Sequence, residues 1–150
     1  MARNNFPSKS VKSKQILNFL AIRARSEKEI RDRLSKYGLA ASEIEIEIEK
    51  LKKWKLVDDA EFAKTYIESK SRSRPRSRRL LELELRRKGV TLEPSTYPLE
   101  PDYKLAQLAL EKKKTLKSRD QAIRFLQYRG FSWEVIEKTV KNRYNETHVN

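Results

Sequence analysis

Three stretches decide the fold: Ser26 to Gly38, SEKEIRDRLSKYG; Ser77 to Gly89, SRRLLELELRRKG; and Ser118 to Gly130, SRDQAIRFLQYRG. They hold the chain's three glycines, and each glycine precedes an apolar residue: Leu39, Val90 or Phe131. A glycine so placed marks a helix end where the backbone turns through the left-handed conformation. Four residues before each glycine stand Leu34, Leu85 and Leu126; eight before, Ile30, Leu81 and Ala122; twelve before, Ser26, Ser77 and Ser118. Four-residue steps keep side chains on one helix face, and a serine at the far end accepts a hydrogen bond from the free amides of the first turn. Ser26 with Glu29 and Ser118 with Gln121 complete capping boxes. The second copy has Leu80 at that place, although Pro75 favours a helix start nearby. The glycines lie 51 and 41 residues apart, from positions 38, 89 and 130, the range of helical repeats with unequal insertions.

Working outward, Ile16, Leu17, Leu20, Ala21 and Ala24 form an apolar stripe before the first template helix. After it, Ser42 with Glu45 caps a helix carrying Ile44, Ile48 and Leu51. Glu43 to Glu49 alternates with a strand-like period of two, but no second alternating segment exists to pair with it, and the cap and the glutamates decide for helix, with Ile46 off the main stripe. Asp58 and Glu61 cap a helix burying Phe62, Ala63, Tyr66 and Ile67, which leads into the second template helix from about Arg76 to Lys88. Pro94, Pro98 and Pro101 then exclude an uninterrupted helix. Asp102 opens the next helix, with Leu105, Leu108 and Ala109 inward, and Ser132 caps a last one presenting Val135, Ile136, Thr139 and Val140.

The expected fold is therefore all-α: an elongated, curved array of three tandem three-helix repeats, the third helix of the middle one reduced or missing. The expected boundaries are a mobile tail 1–15, repeats at 16–57, 58–101 with a proline-rich loop at 91–101, and 102–144, then a tail 145–150. Trp54 and Trp133 are expected to be packing anchors.

Composition sets the partner. Lys and Arg number 35 against 21 Asp and Glu, a formal charge of +14, more than solubility asks for. Nucleic acid, an acidic protein surface and an anionic membrane all suit that charge. No stretch approaches the roughly 20 apolar residues of a membrane span, and Met1 to Lys14 lacks the apolar core of a signal peptide, so a cytoplasmic protein without a membrane partner is expected. The absence of cysteine excludes disulfides, thiolate nucleophiles and cysteine metal sites. The one histidine, His148, is two residues from the end and reads as a solvated tail residue. Three glycines leave no phosphate-cradling loop. No catalytic group, metal ligand set or cofactor is expected, and a monomer is.

Between Lys70 and Lys88 there are nine basic residues and two acidic ones, Glu82 and Glu84. Arg72, Arg74, Arg76, Arg78 and Arg79 surround a helix junction, and Arg86, Arg87 and Lys88 close the template helix. Guanidinium forks there suit phosphates or carboxylates, and arginine dominates where lysine would serve solubility equally well. Arg124, Tyr128 and Arg129 form a second set on or near one face of the third template helix. Arg25, with Arg23, Arg31 and Arg33, extends the track. The alternative for each set is a solvated helix face; Tyr128 either stacks on a base or covers the core, the commoner role.

Three stretches also resemble the RecX family of regulatory proteins, known for modulating the RecA recombinase. AIRARSEKEIRDRLSKYGL, Ala21 to Leu39, is similar to the family's first repeat. LVDDAEFAKTYIESKSRSRPRSRRLLELELRRKGV, Leu56 to Val90, is similar to its central signature, and IRFLQYRGF, Ile123 to Phe131, to its third repeat. The chain departs from the family at Lys55, where glycine is frequent, and at Thr91 to Pro101, which replaces what is usually a helix. The resemblance implies a helical array lying in the groove of a recombinase filament on single-stranded DNA and limiting its growth, ATP hydrolysis or strand exchange. Direct binding to single- or double-stranded DNA is the alternative.

Overall fold

A computed structural model describes residues 11–92 and 101–145. Its helices are α1 (Val11–Ile22), α2 (Glu27–Lys36), α3 (Ala41–Lys53), α4 (Asp59–Ser73), α5 (Arg78–Arg87), α6 (Asp102–Lys112), α7 (Arg119–Tyr128) and α8 (Trp133–Asn145). No strand occurs among the described residues, and Glu43 to Glu49 lies wholly within α3. The all-α expectation is met. The chain forms two compact units: residues up to Ala63 together with Arg87–Val90, and Lys64–Arg86 together with the residues from Thr91 onward.

The template positions behave alike in all three copies. Ile30, Leu34, Leu81, Leu85, Ala122 and Leu126 are each 0% exposed. Gly38, Gly89 and Gly130 have φ of +86°, +79° and +83°, the left-handed turn their spacing predicts. In the first unit the core comprises Ile16, Ile30, Leu34, Ile48, Leu51 and Val57, with Phe19, Leu20 and Tyr37 packed against it. In the second, Leu105, Ala106, Ala109 and Leu110 of α6 meet Ala122 and Leu126 of α7, Phe131, and Ile136 and Val140 of α8.

Each unit also closes a template helix from outside, through the same two devices. In the first, the Ser26 hydroxyl accepts from the Glu29 amide (3.2 Å) while the Glu29 carboxylate accepts from the Ser26 amide (3.3 Å). Asp59, opening α4, accepts from the Glu27 amide at 2.8 Å. In the second unit Ser77 accepts from the Leu80 amide (3.1 Å), and Asp102, opening α6, accepts from the Arg78 amide (3.0 Å). Ser77 thus caps α5 without the reciprocal carboxylate. The other device is close approach. A Cβ on Gly89 would lie 2.7 Å from Lys28 Cβ, and one on Gly130 would lie 2.7 Å from Ser77 Oγ and 2.9 Å from Leu80 Cβ. Only glycine meets both the backbone turn and the space.

Several details differ from the sequence reading. Helix α1 already includes residues 11–15, assigned above to the N-terminal tail, and Ala21 and Ala24 are exposed while Phe19 packs inward. Helix α3 is capped two residues earlier than Ser42: Ala40 is the N-cap, and its amide donates to the Glu43 carboxylate at 3.1 Å. Gln121 accepts from the Lys117 amide (2.9 Å), outside the Ser118 box. Leu108 is 38% exposed, and Ala106 and Leu110 take the inward places beside Leu105 and Ala109. Trp54 and Trp133 are 44% and 58% exposed, so neither is a buried anchor. Pro94, Pro98, His148 and most of the 91–101 loop lie outside the described residues; Pro101 is the N-cap of α6.

Two stability measurements follow from the backbone. Lys55 is the one non-glycine residue with positive φ among those described, at 56°. Lys55→Gly relieves about 1–2 kcal/mol of left-handed strain and gives back about 0.4–1 kcal/mol through a freer unfolded chain. Urea unfolding should therefore show a small net gain. Gly38→Ala and Gly89→Ala share the conformational cost of about 1–2 kcal/mol, but an added Cβ meets nothing within 4 Å at Gly38 and Lys28 at 2.7 Å at Gly89. The Gly89 variant should unfold at the lower urea concentration, and equal midpoints would show that the close approach is easily relieved.

Candidate functional site

The predicted arginines fall into three structural classes, set by what their guanidinium groups meet. In the second unit, α4 ends at Ser73 because Pro75, which is buried, cannot continue it. Arg76 follows with a side chain 12% exposed; it pairs with Glu84 at 2.5 Å and donates from Nε to the Arg74 carbonyl at 3.0 Å. Tyr66 donates its hydroxyl to the same Glu84 at 2.7 Å. Arg78 pairs with Glu82 one turn along α5, at 2.9 Å. Arg76 and Arg78 are thus neutralised within the protein.

Arg129 is a structural cation as well. It donates to the Pro75 carbonyl at 3.0 Å, and its guanidinium lies 4.8 Å from the centre of the Phe125 ring. Burial lowers its pKa from the ordinary arginine value, and the charges of Arg76 and Arg74 lower it further; it remains cationic. Arg74, Arg76 and Arg129 thus meet about the Pro75 turn, where Glu84 is already shared between Arg76 and Tyr66. The local excess of positive charge would be relieved by an anion from outside.

The third class faces solvent. Arg72, Arg74, Arg79, Arg86, Arg87 and Arg124 are exposed, and among the described residues no carboxylate lies within ion-pair distance of any of them. On α5, Arg79, Leu83, Arg86 and Arg87 recur at helical spacing away from the buried Leu81 and Leu85. Leu83 is 39% exposed, an apolar element in this face that counting charges misses. On α7, Arg124 and Tyr128 are four residues apart and share a face. Tyr128 is 85% exposed, so it does not cover the core.

In the first unit, Arg25 donates from Nε to the Phe19 carbonyl at 3.3 Å and stands 3.8 Å from the centre of its ring. Arg33 stands 4.3 Å from the same ring. Lys88 pairs with Glu29 at 2.7 Å, and Arg23 reaches Glu29 at 3.2 Å. Burial alone would raise the pKa of Glu29, but these two hydrogen bonds and their charges outweigh it and hold the carboxyl below its usual value. Arg31 pairs with Glu45 at 2.5 Å. Arg25 and Lys88 are accordingly part of the fold's internal bonding as well as predicted contacts. Sequence names Glu29 as half of a capping box and Glu84 as one of two acids in a basic run, but not as the carboxylates that organise these clusters. Their partners come from six to fifty-nine residues away, and no local pattern announces them.

Among the described residues no group of three or more His, Cys, Asp or Glu side chains could hold a metal ion, and no helix is long and apolar enough to cross a membrane.

Comparison with known proteins agrees with the all-helical fold. Family profiles described as "RecX, first three-helix domain" and "RecX, second three-helix domain" match residues 14–51 and 58–93. The chain is 34% identical over 143 residues to the regulatory protein RecX of Bacillus pumilus, covering 87% of this chain and 54% of that protein. It is 33% identical over 143 residues to the regulatory protein RecX of Chlorobium limicola, covering 89% of each. The chain thus spans about half of the Bacillus relative and most of the Chlorobium one. The crystal structure of RecX from Lactobacillus salivarius superposes with a TM-score of 0.66 at 20% identity, over 87% of this chain and 93% of that one, a likeness of fold. Together with the repeated capped helices and glycine turns, these matches establish that the chain belongs to the RecX family of regulatory proteins.

Proposed function

We propose that this chain is a noncatalytic regulator that binds the filament of a RecA-type recombinase on single-stranded DNA and limits its ATP hydrolysis, growth and strand exchange. The observation that carries the reading is the set of exposed arginines without internal carboxylate partners, in a member of a family of regulatory proteins. Of the five arginines around the α4–α5 junction, Arg72, Arg74 and Arg79 are open to a partner while Arg76 and Arg78 hold Glu84 and Glu82. A filament repeats its surface, so several modest contacts act together through effective concentration, favouring filament over free protomer.

Direct DNA binding is the second reading, favoured by the same unneutralised guanidinium groups, which fit phosphates as well as carboxylates. Its signature is salt. If about four phosphates are neutralised, log affinity for duplex DNA falls against log salt with a slope of about −3.6. Comparable affinity for naked DNA and for filament would support this second reading over the first.

The test is a titration into a matched recombinase on single-stranded DNA. Amounts well below the recombinase concentration should reduce DNA-dependent ATP hydrolysis and shorten filaments in electron micrographs. The joint variant Arg72→Ala, Arg74→Ala and Arg79→Ala should need about tenfold more protein for the same inhibition, at about 0.5 kcal/mol for each exposed charge, with an unchanged circular dichroism spectrum. Wild-type protein without effect at any ratio would remove the filament reading; an unimpaired triple variant would move the contact away from the α4–α5 junction.

A further inference from the structure

Tyr128 closes α7 and is the most exposed of the large hydrophobic residues described, at 85%. The core beneath it is complete without it: Leu126 and Phe131, on either side in sequence, are 0% and 6% exposed. The surroundings of the ring are cationic. Arg124 lies one turn earlier on the same helix face, exposed and with no carboxylate within ion-pair distance among the described residues. Arg129 follows directly, held by the Pro75 carbonyl and the Phe125 ring, and the charges of Arg74 and Arg76 act on it. The neighbouring carboxylate, Glu84, is already engaged by Arg76 and Tyr66.

An open aromatic plane amid uncompensated arginine selects among anionic partners. An acidic peptide would satisfy the guanidinium groups and leave the ring without a role. Duplex DNA offers phosphates, but its base faces are stacked on one another. Single-stranded nucleic acid offers phosphates at regular spacing and free base faces, and a tyrosine ring accepts any base by stacking. We propose that Tyr128 is a stacking platform for one unpaired base of single-stranded DNA, with Arg124 and the Arg74–Arg129 cluster contacting the flanking phosphates. The assignment rests on the reading of this chain as acting where single-stranded DNA is present, and deepens it by naming the group that touches the base.

The experiment compares two fluorescein-labelled strands of about 12 nucleotides, a length within the range of single-strand binding sites: oligothymidine, and a strand of the same length built from abasic units. Binding of the full chain is followed by anisotropy at low salt. Wild-type protein should prefer oligothymidine about tenfold, in line with one base stacked on an aromatic ring. Tyr128→Ala should lose that preference while keeping wild-type affinity for the abasic strand. Tyr128→Phe, which retains the ring, should keep the preference.

Equal wild-type affinity for the two strands would overturn the proposal. So would a preference that survives Tyr128→Ala, a Tyr128→Phe variant that behaves like Tyr128→Ala, or no binding to oligothymidine. Association with recombinase filaments, measured in parallel, separates the two readings. A thymidine preference without filament association would remove the filament function alone. Filament association weakened by Tyr128→Ala, with oligonucleotide binding unchanged, would identify a protein contact and overturn the stacking assignment.

Discussion

The structure depends on one repeated constraint: a glycine turn at the end of a template helix seated against the first turn of the preceding template helix. In the second unit the Arg129 carbonyl accepts from the Ser77 amide at 3.0 Å, so the negative end of α7 meets the positive end of α5. A side chain at Gly130 would collide with Ser77 and Leu80, as one at Gly89 would with Lys28 in the first unit. Asp102 and Asp59 then satisfy the amides of Arg78 and Glu27, groups that the serine caps leave open. Helix ends that would otherwise bury unpaired N–H groups are closed by the neighbouring helix, so stacking and capping are a single event.

The distribution of charge follows from that seating. The residue before the glycine turn is delivered to the α4–α5 junction, and in the second unit that residue is Arg129, whose guanidinium reaches the Pro75 carbonyl. The junction already carries Arg74 and Arg76. Like charges brought together cost free energy, and the Arg76–Glu84–Tyr66 group offsets part of that cost. The remainder is available to an external anion. A contact that stabilises the fold thereby also concentrates the positive charge on which the proposed binding relies.

The proposed binding along a filament would act through occupancy and would ask for no catalytic apparatus. Arginine suits it better than lysine: its planar fork holds a fixed geometry on a phosphate or carboxylate and also stacks on rings, as Arg25 and Arg33 do on Phe19. The cations of this chain accordingly divide between those that brace the helices and those left open, and the division is decided by the position of a few carboxylates.

The sequence by itself determined the local rules. Helical period, serine caps and left-handed glycines at Gly38, Gly89 and Gly130 depend on neighbours within about four residues, which is why Ile30, Leu34, Leu81, Leu85, Ala122 and Leu126 could be assigned to the core. It also determined the excess of positive charge, +14 in all, since net charge does not depend on conformation. Tertiary structure decided which arginines are open. Arg76 and Arg79 look alike along the chain, but Glu84 meets Arg76 one way across the fold and leaves Arg79 exposed. It likewise decided that Tyr128 and Trp133 face outward, because residues of α6, α7 and α8 fill the core without either ring. Those outcomes depend on residues far apart in the chain meeting in space, and no local pattern records such a meeting.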